Sequence, residues 1–463
     1  MRNTLAIARL MIAEGVRMRI VLVFIVVLVF IVLRLPFTLR GDETVSGQLQ
    51  TFLAYSLGAV SILLGVACVF LSCATLTGEI KSFTIHLLVT KPVSRFEILL
   101  GKWLGINVLL LTLVAASGVT IYGFARFIKS RPVAFERDAV NLRDVVWRAR
   151  VAADPTPPPE LEDQAREWVR SQVGQGQHFA RGEAFAYAER LKALQSEWRT
   201  LNPGQARAYL FENLIPPRSA DAVIQVRYRV RGVNLQLDQM VPVAFAFADP
   251  DDLEPLSEWH DVRERSADLH QFLAKGQPVI KDGCTALLVG NRGLPPYERV
   301  SFHIEEEDGL QILYSVGTFE ENFVKTLLMV YARLAFLSAV GLFFSVFVSF
   351  PVACLCAFTF YLICLGMPYW LESVGANLEY WTEGVDPYGR YGPAIRMVLV
   401  PIMRFVFPNF GAYDGGQYLI DGLYINYGLL CKALGHTLLY GILLLLLPGW
   451  LMFRSREIAE VTV

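Results

Sequence analysis

The residues that could bind a metal or catalyse a reaction lie mostly in the polar middle of the chain, residues 127–322. Four consecutive acidic residues at 305–308 offer the oxygen ligands that calcium prefers, but they lack the spaced ligands of a calcium loop. Four histidines also lie here, and no two of them have the spacing of zinc ligands. We therefore interpret the acidic run as a solvated turn and the histidines as surface or hydrogen-bonded side chains: His178, His260, His270 and His303.

The sequence contains none of the short motifs that bind nucleotides or hydrolyse peptides and esters. The nearest fragment to a phosphate-binding loop, Gly101-Lys102, is followed by Trp103 and lacks a glycine five positions earlier. The seven cysteines include no CxxC pair, and five of them lie in apolar runs, so neither a disulfide framework nor a zinc site is indicated. We predict no catalytic residue, no metal and no cofactor in this chain. An enzyme in the polar middle is a weaker alternative.

The composition is typical of a membrane protein. Hydrophobic residues make up 54% of the 463 residues and charged residues 18%, against about 25% in soluble domains. A soluble globule could not bury that much apolar surface, so part of it must face lipid. The net charge of -1 argues against nucleic acid, which needs a clustered basic face.

Apolar runs of about 20 residues predict membrane helices. The first run is interrupted only by Arg34, which can reach the interface from near a helix end. Pro351 predicts a tight turn between the fourth and fifth runs, because proline does not continue a helix cleanly. The sequence therefore predicts six transmembrane helices, at about 20–39, 52–76, 103–125, 327–349, 352–371 and 433–453.

Basic residues predict the orientation, because cytoplasmic segments carry an excess of lysine and arginine. Three segments agree, so we expect both termini to be cytoplasmic, residues 127–322 to be extracytoplasmic, and the protein to be a multi-pass component of the cytoplasmic (inner) membrane. The tail before the first span is either an interfacial helix or a simple basic flank. The basic residues are Arg2, Arg9, Arg17 and Arg19 in the first tail; Lys81, Lys91, Arg95 and Lys102 in the second loop; and Arg454 and Arg456 in the last tail.

The predicted fold is an α-helical membrane protein with an inserted extracytoplasmic α+β domain. Residues 1–126 would form the N-terminal membrane half, with a cytoplasmic loop at 77–102, and residues 323–463 the C-terminal half. Within 127–322 the pattern is helical at 135–215 and changes to short alternating strands at 220–317, which indicates a small antiparallel sandwich. In the second span, Gly58, Ser61 and Gly65 are predicted to pack against a neighbouring helix rather than to line a translocation path.

The loop "TLTGEIKSFTIHLLVTKPVSRFEILLGKWLG" carries alternating charges that suit a charged partner surface. It resembles the type-2 class of ABC exporter permeases, including the branch that serves copper-enzyme maturation and gliding machinery. The glycine that these permeases have before the threonine is Phe83 in this chain. The matching residues are Glu79, Thr84, Leu87, Leu88, Lys91, Pro92, Ser94, Arg95, Gly101 and Lys102.

This resemblance covers roughly residues 1–127 and 322–463 and implies a permease subunit of an ABC transporter. The loop, with Lys81 included, would then be a coupling helix in a groove of a separate ATP-binding cassette ATPase, which would hold the ATP. A second permease chain, identical or different, would complete the membrane part. The function would be exporter-like or the transmission of movement to the external domain and a protein partner there. The alternative is a membrane-anchored scaffold, sensing or adhesion protein that transports nothing.

Overall fold

The computed structural model describes residues 2–38, 44–82, 93–176, 178–179, 182–215, 224–233, 240–274, 280–281, 283–292, 300–306, 309–385, 401, 407 and 410–455. The chain divides into two compact units. The helical unit consists of Met1–Trp147 and Phe319–Val463, and the sheet unit is Arg148–Thr318.

The helical unit is built from long apolar helices. In its first part these are α1 (Arg2–Arg17), α2 (Arg19–Thr38), α3 (Val45–Lys81), α4 (Arg95–Lys129) and the short α5 (Glu136–Val140). Its second part contains α8 (Phe319–Ser345), α9 (Phe350–Val385), the short α10 (Gly415–Ile420), α11 (Tyr427–Tyr440) and α12 (Leu447–Ser455). A π-helical turn, Gly441–Leu446, joins α11 to α12, so these two form one continuous rod.

Five helices in the described part of the chain are long and apolar enough to cross a membrane, and a sixth follows if the bent pair α1 and α2 is counted as one span. The axes of that pair differ by 64°. This supports the predicted helical membrane part, with five to six candidate spans. α8 is the central helix, because 72% of its most apolar window is buried, against 31–56% in the other four.

The sequence predicted Pro351 in the connection between the fourth and fifth spans. In the structure Pro351 lies instead in the first turn of α9. The break between α8 and α9 is at residues 346–349, and α9 begins at Phe350. Proline is well suited to the first turn of a helix, where its missing N–H would have no helical partner.

The sheet unit contains ten described strands and a helical hairpin, α6 (Glu160–Gly174) and α7 (Glu183–Trp198). In the first sheet β4 is central; β10 and β9 pair along one side of it, β7 pairs on the other, and β1 and β2 extend the sheet. The second sheet has the order β3-β8-β5-β6, and all pairs are antiparallel. The strands are β1 (Arg148–Ala153), β2 (Thr200–Leu201), β3 (Ala206–Phe211), β4 (Ile224–Gly232), β5 (Met240–Ala248), β6 (His260–Arg265), β7 (Leu269–Leu273), β8 (Thr285–Gly290), β9 (Phe302–Ile304) and β10 (Leu310–Thr318).

The two sheets share one apolar core and form a sandwich. Alternate residues of β4 and β5, such as Tyr228 and Phe245, are buried in it, and the centroids of these two rings lie 4.6 Å apart. This is the period-two burial that the alternating sequence of β4 predicts. Burial raises the pKa of the Tyr209 hydroxyl in the same core to about 12.

The helices-then-strands order predicted for residues 135–215 is incomplete, because β1, β2 and β3 also lie there. β1 pairs with β10, with Arg148 opposite Thr318, so it depends on a partner more than 150 residues away that a local pattern cannot reveal. The sheet unit is also shorter than the predicted 127–322: α4 continues to Lys129, and the Trp147 ring stacks on Phe319 at 4.2 Å within the helical unit.

Part of the predicted solvated turn lies between β9 and β10. Glu305 forms an ion pair with Arg231 (2.7 Å) and Glu306 one with Arg199 (3.5 Å), while positions 307 and 308 lie outside the described residues. Three of the four histidines have partners within the sheet unit: His303 contacts Thr200, His270 contacts Glu264, and the His260 ring lies against the Phe272 ring in a tilted arrangement.

Candidate functional site

The charged loop predicted to bind an ATPase connects α3 to α4. Its described parts are residues 77–82 and 93–102, which form the last turns of α3 and the first turns of α4. Five of the predicted site residues fall outside the described part of the chain: Thr84, Leu87, Leu88, Lys91 and Pro92. The structure therefore defines the two arms that carry the loop.

A buried ion pair joins these two arms. Lys102 on α4 lies 2.8 Å from the Oε1 atom of Glu79 on α3, and the two side chains are 3% and 14% exposed. A buried charge is tolerated when an opposite charge lies in direct contact with it. The pair therefore sets the distance between the end of α3 and the first two turns of α4.

The first turn of α4 is stabilised by a reciprocal capping box. The Ser94 hydroxyl accepts a hydrogen bond from the Glu97 backbone N–H, and the Glu97 carboxylate accepts one from the Ser94 backbone N–H (3.0 Å). This arrangement satisfies two backbone donors that have no partner within the helix. The spacing "SRFE" is the usual sequence signal of a capping box, but it was not among the features predicted for this loop.

Arg95 binds within the chain, at the end of α12. Its guanidinium donates to the carbonyl oxygens of Phe453 and Arg454 and lies over the Phe453 ring, 5.5 Å from its centroid. A cation at the C-terminus of a helix interacts favourably with the helix dipole. Phe96 adds an edge-to-face contact with Trp450. Lys81, in contrast, is exposed.

α1 packs closely on the start of α4 through two glycines spaced four residues apart. A Cβ atom at Gly101 would lie 2.9 Å from the Thr4 carbonyl oxygen, and one at Gly105 would lie 2.7 Å from that of Ala8. Larger residues would therefore push α1 away. The G-x-x-x-G spacing is visible in the sequence and would have predicted this contact. The opposite side of α1 exposes Leu5, Leu10 and Val16.

Two of the three small residues predicted to mediate helix packing in α3 face α9. Ser61 is hydrogen-bonded to Tyr361, and a Cβ atom at Gly65 would lie 3.3 Å from the Tyr361 hydroxyl oxygen. Gly58 differs, since a Cβ atom there would have no heavy atom of the described residues within 4 Å.

A second polar cluster holds the segment before α11 against α8. The Lys325 amino group contacts Glu321 (2.8 Å) and the Ile425 carbonyl oxygen (2.9 Å), and it lies 3.7 Å from the centroid of the Tyr427 ring. Further along α8, Arg333 donates to the Tyr413 carbonyl oxygen. Lys325 was outside the predicted span and was missed; its only sequence signal is a glutamate four residues earlier.

The N-terminal third of the chain resembles a known family. Residues 5–137 match the family model of the ABC-2 family transporter proteins, a stretch that contains α1–α4 and the charged loop. No match to a curated protein was found. The match and the long apolar helices together support an ABC-2 type permease subunit of an ABC transporter that passes through the membrane several times.

Proposed function

We propose that the chain is the membrane subunit of an ATP-driven transporter whose ATPase is a separate protein, and that the ATPase binds at residues 77–102. The observation that carries this proposal is the family match over residues 5–137, which includes the loop. In this proposal the chain has no catalytic residue and no cofactor of its own, because the ATP is bound by the partner.

The contacts around the loop are suited to passing on a force. A partner that moves residues 83–92 would pull on two arms tied together by Glu79 and Lys102. Arg95 would pass the movement to α12, and the two glycines of α4 would pass it to α1. Well-packed elements with such contacts move as units rather than bending separately.

In this proposal the helical unit lies in the inner membrane of the cell. Both termini and residues 77–102 are in the cytoplasm, and the sheet unit is on the extracytoplasmic side. It also includes a second permease chain, the same or different, since one bundle of five to six spans leaves apolar side chains exposed on α2, α4 and α9 that lipid and a second copy would share. The direction is exporter-like, or the movement is passed to the sheet unit.

Purification in a mild detergent, with a photo-crosslinking residue at position 88, tests the ATPase contact directly. We expect cross-links to an ATP-binding cassette protein from position 88 and none from position 135, where Phe135 is exposed. Leu88→Asp should weaken ATPase co-purification about 30-fold, because a central contact residue contributes 2 kcal/mol or more. Lys81→Ala, at the exposed rim, should change it less than threefold.

If the Leu88→Asp variant binds and stimulates the ATPase as well as the unaltered chain does, the proposed position of the contact is refuted. Absence of any ATPase among the co-purified and cross-linked proteins would refute the transporter itself and favour a membrane-anchored scaffold or sensor.

A further inference from the structure

The outer face of the first sheet carries a row of arginines along its central strand. β4 alternates between core residues, among them Val226, Tyr228 and Val230, and arginines that point the other way. The arginines are Arg227, Arg229 and Arg231, spaced two residues apart.

The neighbours of Arg227 on both adjacent strands are neutral, whereas Arg229 has a neutral neighbour on β7 and is paired through its backbone with Glu305 on the other side. Opposite Arg227 are Gln311 of β10 and Gln271 of β7, and opposite Arg229 on β7 is Leu269. The Glu305 carboxylate forms its ion pair with Arg231, at 2.7 Å, and not with Arg229. At the β10 edge of this face, Asp154 accepts a hydrogen bond from Gln311 (2.8 Å), and Arg150 of β1 donates to Gln225.

Arg227 and Arg229 thus form a pair of positive charges that no carboxylate of the described residues contacts directly. Within the part of the chain that the structure describes, neither side chain forms an ion pair or hydrogen bond, although both are half-buried and their Nε atoms are screened from water. Like charges side by side on one sheet face repel each other, and a screened N–H without an acceptor costs free energy. An anion on this face would remove both costs at once.

We propose that this face binds an acidic peptide segment of a partner protein in an extended conformation. Side chains two residues apart on an extended chain lie about 6.7 Å apart, which is the spacing of Arg227 and Arg229 along β4. Two alternate carboxylates can therefore pair with the two guanidiniums, each in the bidentate geometry that arginine favours. Leu269, which is 44% exposed, and the neighbouring glutamines contact the rest of such a peptide. The inference does not rest on the transport function.

The test uses the full chain in a nonionic detergent and a short fluorescein-labelled peptide in which glutamate and threonine alternate. We expect saturable binding by fluorescence anisotropy. Binding should weaken about tenfold with either Arg227→Gln or Arg229→Gln and roughly a hundredfold with both, because each removes a charge-assisted pair. A peptide of the same composition with its glutamates in one block should bind at least tenfold more weakly than the alternating one.

The matched control is the pair Arg263→Gln and Arg265→Gln. These arginines have the same spacing on β6, the edge strand of the second sheet, where Asp261 continues the row and both are exposed. Their replacement should change binding less than threefold. The double variant Arg227→Lys with Arg229→Lys keeps the charge and loses the bidentate geometry, so its peptide binding should weaken about tenfold. This variant provides the test if the double glutamine variant fails to fold.

Three results would overturn the proposal. One is unchanged binding of the alternating peptide in either double variant, with Arg227 and Arg229 replaced by lysine or by glutamine. The second is equal binding of the alternating peptide, the block peptide and heparin, which would show only non-specific attraction of polyanions. The third is no binding of the alternating peptide at low salt, where exposed charges interact most strongly.

Discussion

Among the contacts of the charged loop, we expect the ion pair between Glu79 and Lys102 to contribute most to the stability of the helical unit. The Lys102 side chain is 3% exposed and lies 2.8 Å from the Glu79 carboxylate. Removing one partner of a buried pair leaves the other charge without its attraction, which costs about 3–5 kcal/mol. We expect the cost of Glu79→Gln to lie at the upper end of this range, because Lys102 would then be the buried, uncompensated charge. Lys102→Met should cost ~3 kcal/mol, since Glu79, at 14% exposed, is closer to water.

The double variant Glu79→Gln with Lys102→Met separates charge pairing from simple loss of packing. It leaves no buried charge, so it should be more stable than either single variant, and the coupling free energy should then exceed the cost of the more disruptive single variant. Lys81→Met is the matched control, because the same substitution at an exposed position on the same arm should stay within about 0.5 kcal/mol.

The assay is unfolding in mixed micelles with increasing sodium dodecyl sulfate, followed by far-UV circular dichroism. ATPase co-purification with each variant is the second measurement, because it also reports the geometry of the loop. If Lys102→Met costs less than ~1 kcal/mol, or if the two single effects simply add in the double variant, the pair does not hold the two arms together.

Three further predictions concern other contacts of the chain. Gly105→Leu should displace α1 from α4, because even a Cβ atom would lie 2.7 Å from the Ala8 carbonyl oxygen, and it should make Leu10 more accessible to protease cleavage; unchanged cleavage would contradict the packing. Asp138 accepts hydrogen bonds from Val45 and Ser46 at the start of α3, and although burial alone opposes its charge, these bonds hold its pKa below the usual value. The contribution of the Asp138 carboxylate to the free energy of unfolding should therefore be complete above about pH 4 and be lost as the pH falls through the lowered pKa. In Asp138→Asn, unfolding measured against pH should no longer show this loss. A cysteine at Ser171, in a variant whose exposed Cys431 is replaced, should react with a membrane-impermeant thiol reagent on intact spheroplasts; labelling only after lysis would reverse the predicted orientation.

The sequence predicted the structural classes well where the signal repeats locally. Apolar runs without charge are sufficient for helices such as α3 and α8, because a helix satisfies its own backbone hydrogen bonds and needs no partner to be recognised. The alternation of β4 likewise predicted a half-buried strand and, with its neighbours, a sandwich. The loop motif pointed to an ABC permease, in agreement with the family match over residues 5–137.

The candidate site depended more on the fold. Glu79, Arg95 and Lys102 were all predicted as loop residues, but their sequence positions do not show that Glu79 and Lys102 form a buried pair or that Arg95 binds the end of α12. The capping box at Ser94 and the glycine pair of α4 had sequence signals that were missed. Of the small residues of α3, Ser61 and Gly65 lie against Tyr361, while a Cβ atom at Gly58, in the same pattern, would contact no heavy atom of the described residues.

Composition and local periodicity therefore determined that this chain has membrane helices, a strand-rich insertion and a charged loop that resembles a permease loop. Only the tertiary structure decided which distant residues meet: β1 with β10, Lys325 with Tyr427, and Arg227 with the neutral Gln311 and Gln271. The physical reason is that periodicity reflects interactions within one helix or strand. Ion pairs and strand pairing between distant segments depend instead on how those segments pack, and many sequences with the same local pattern pack differently.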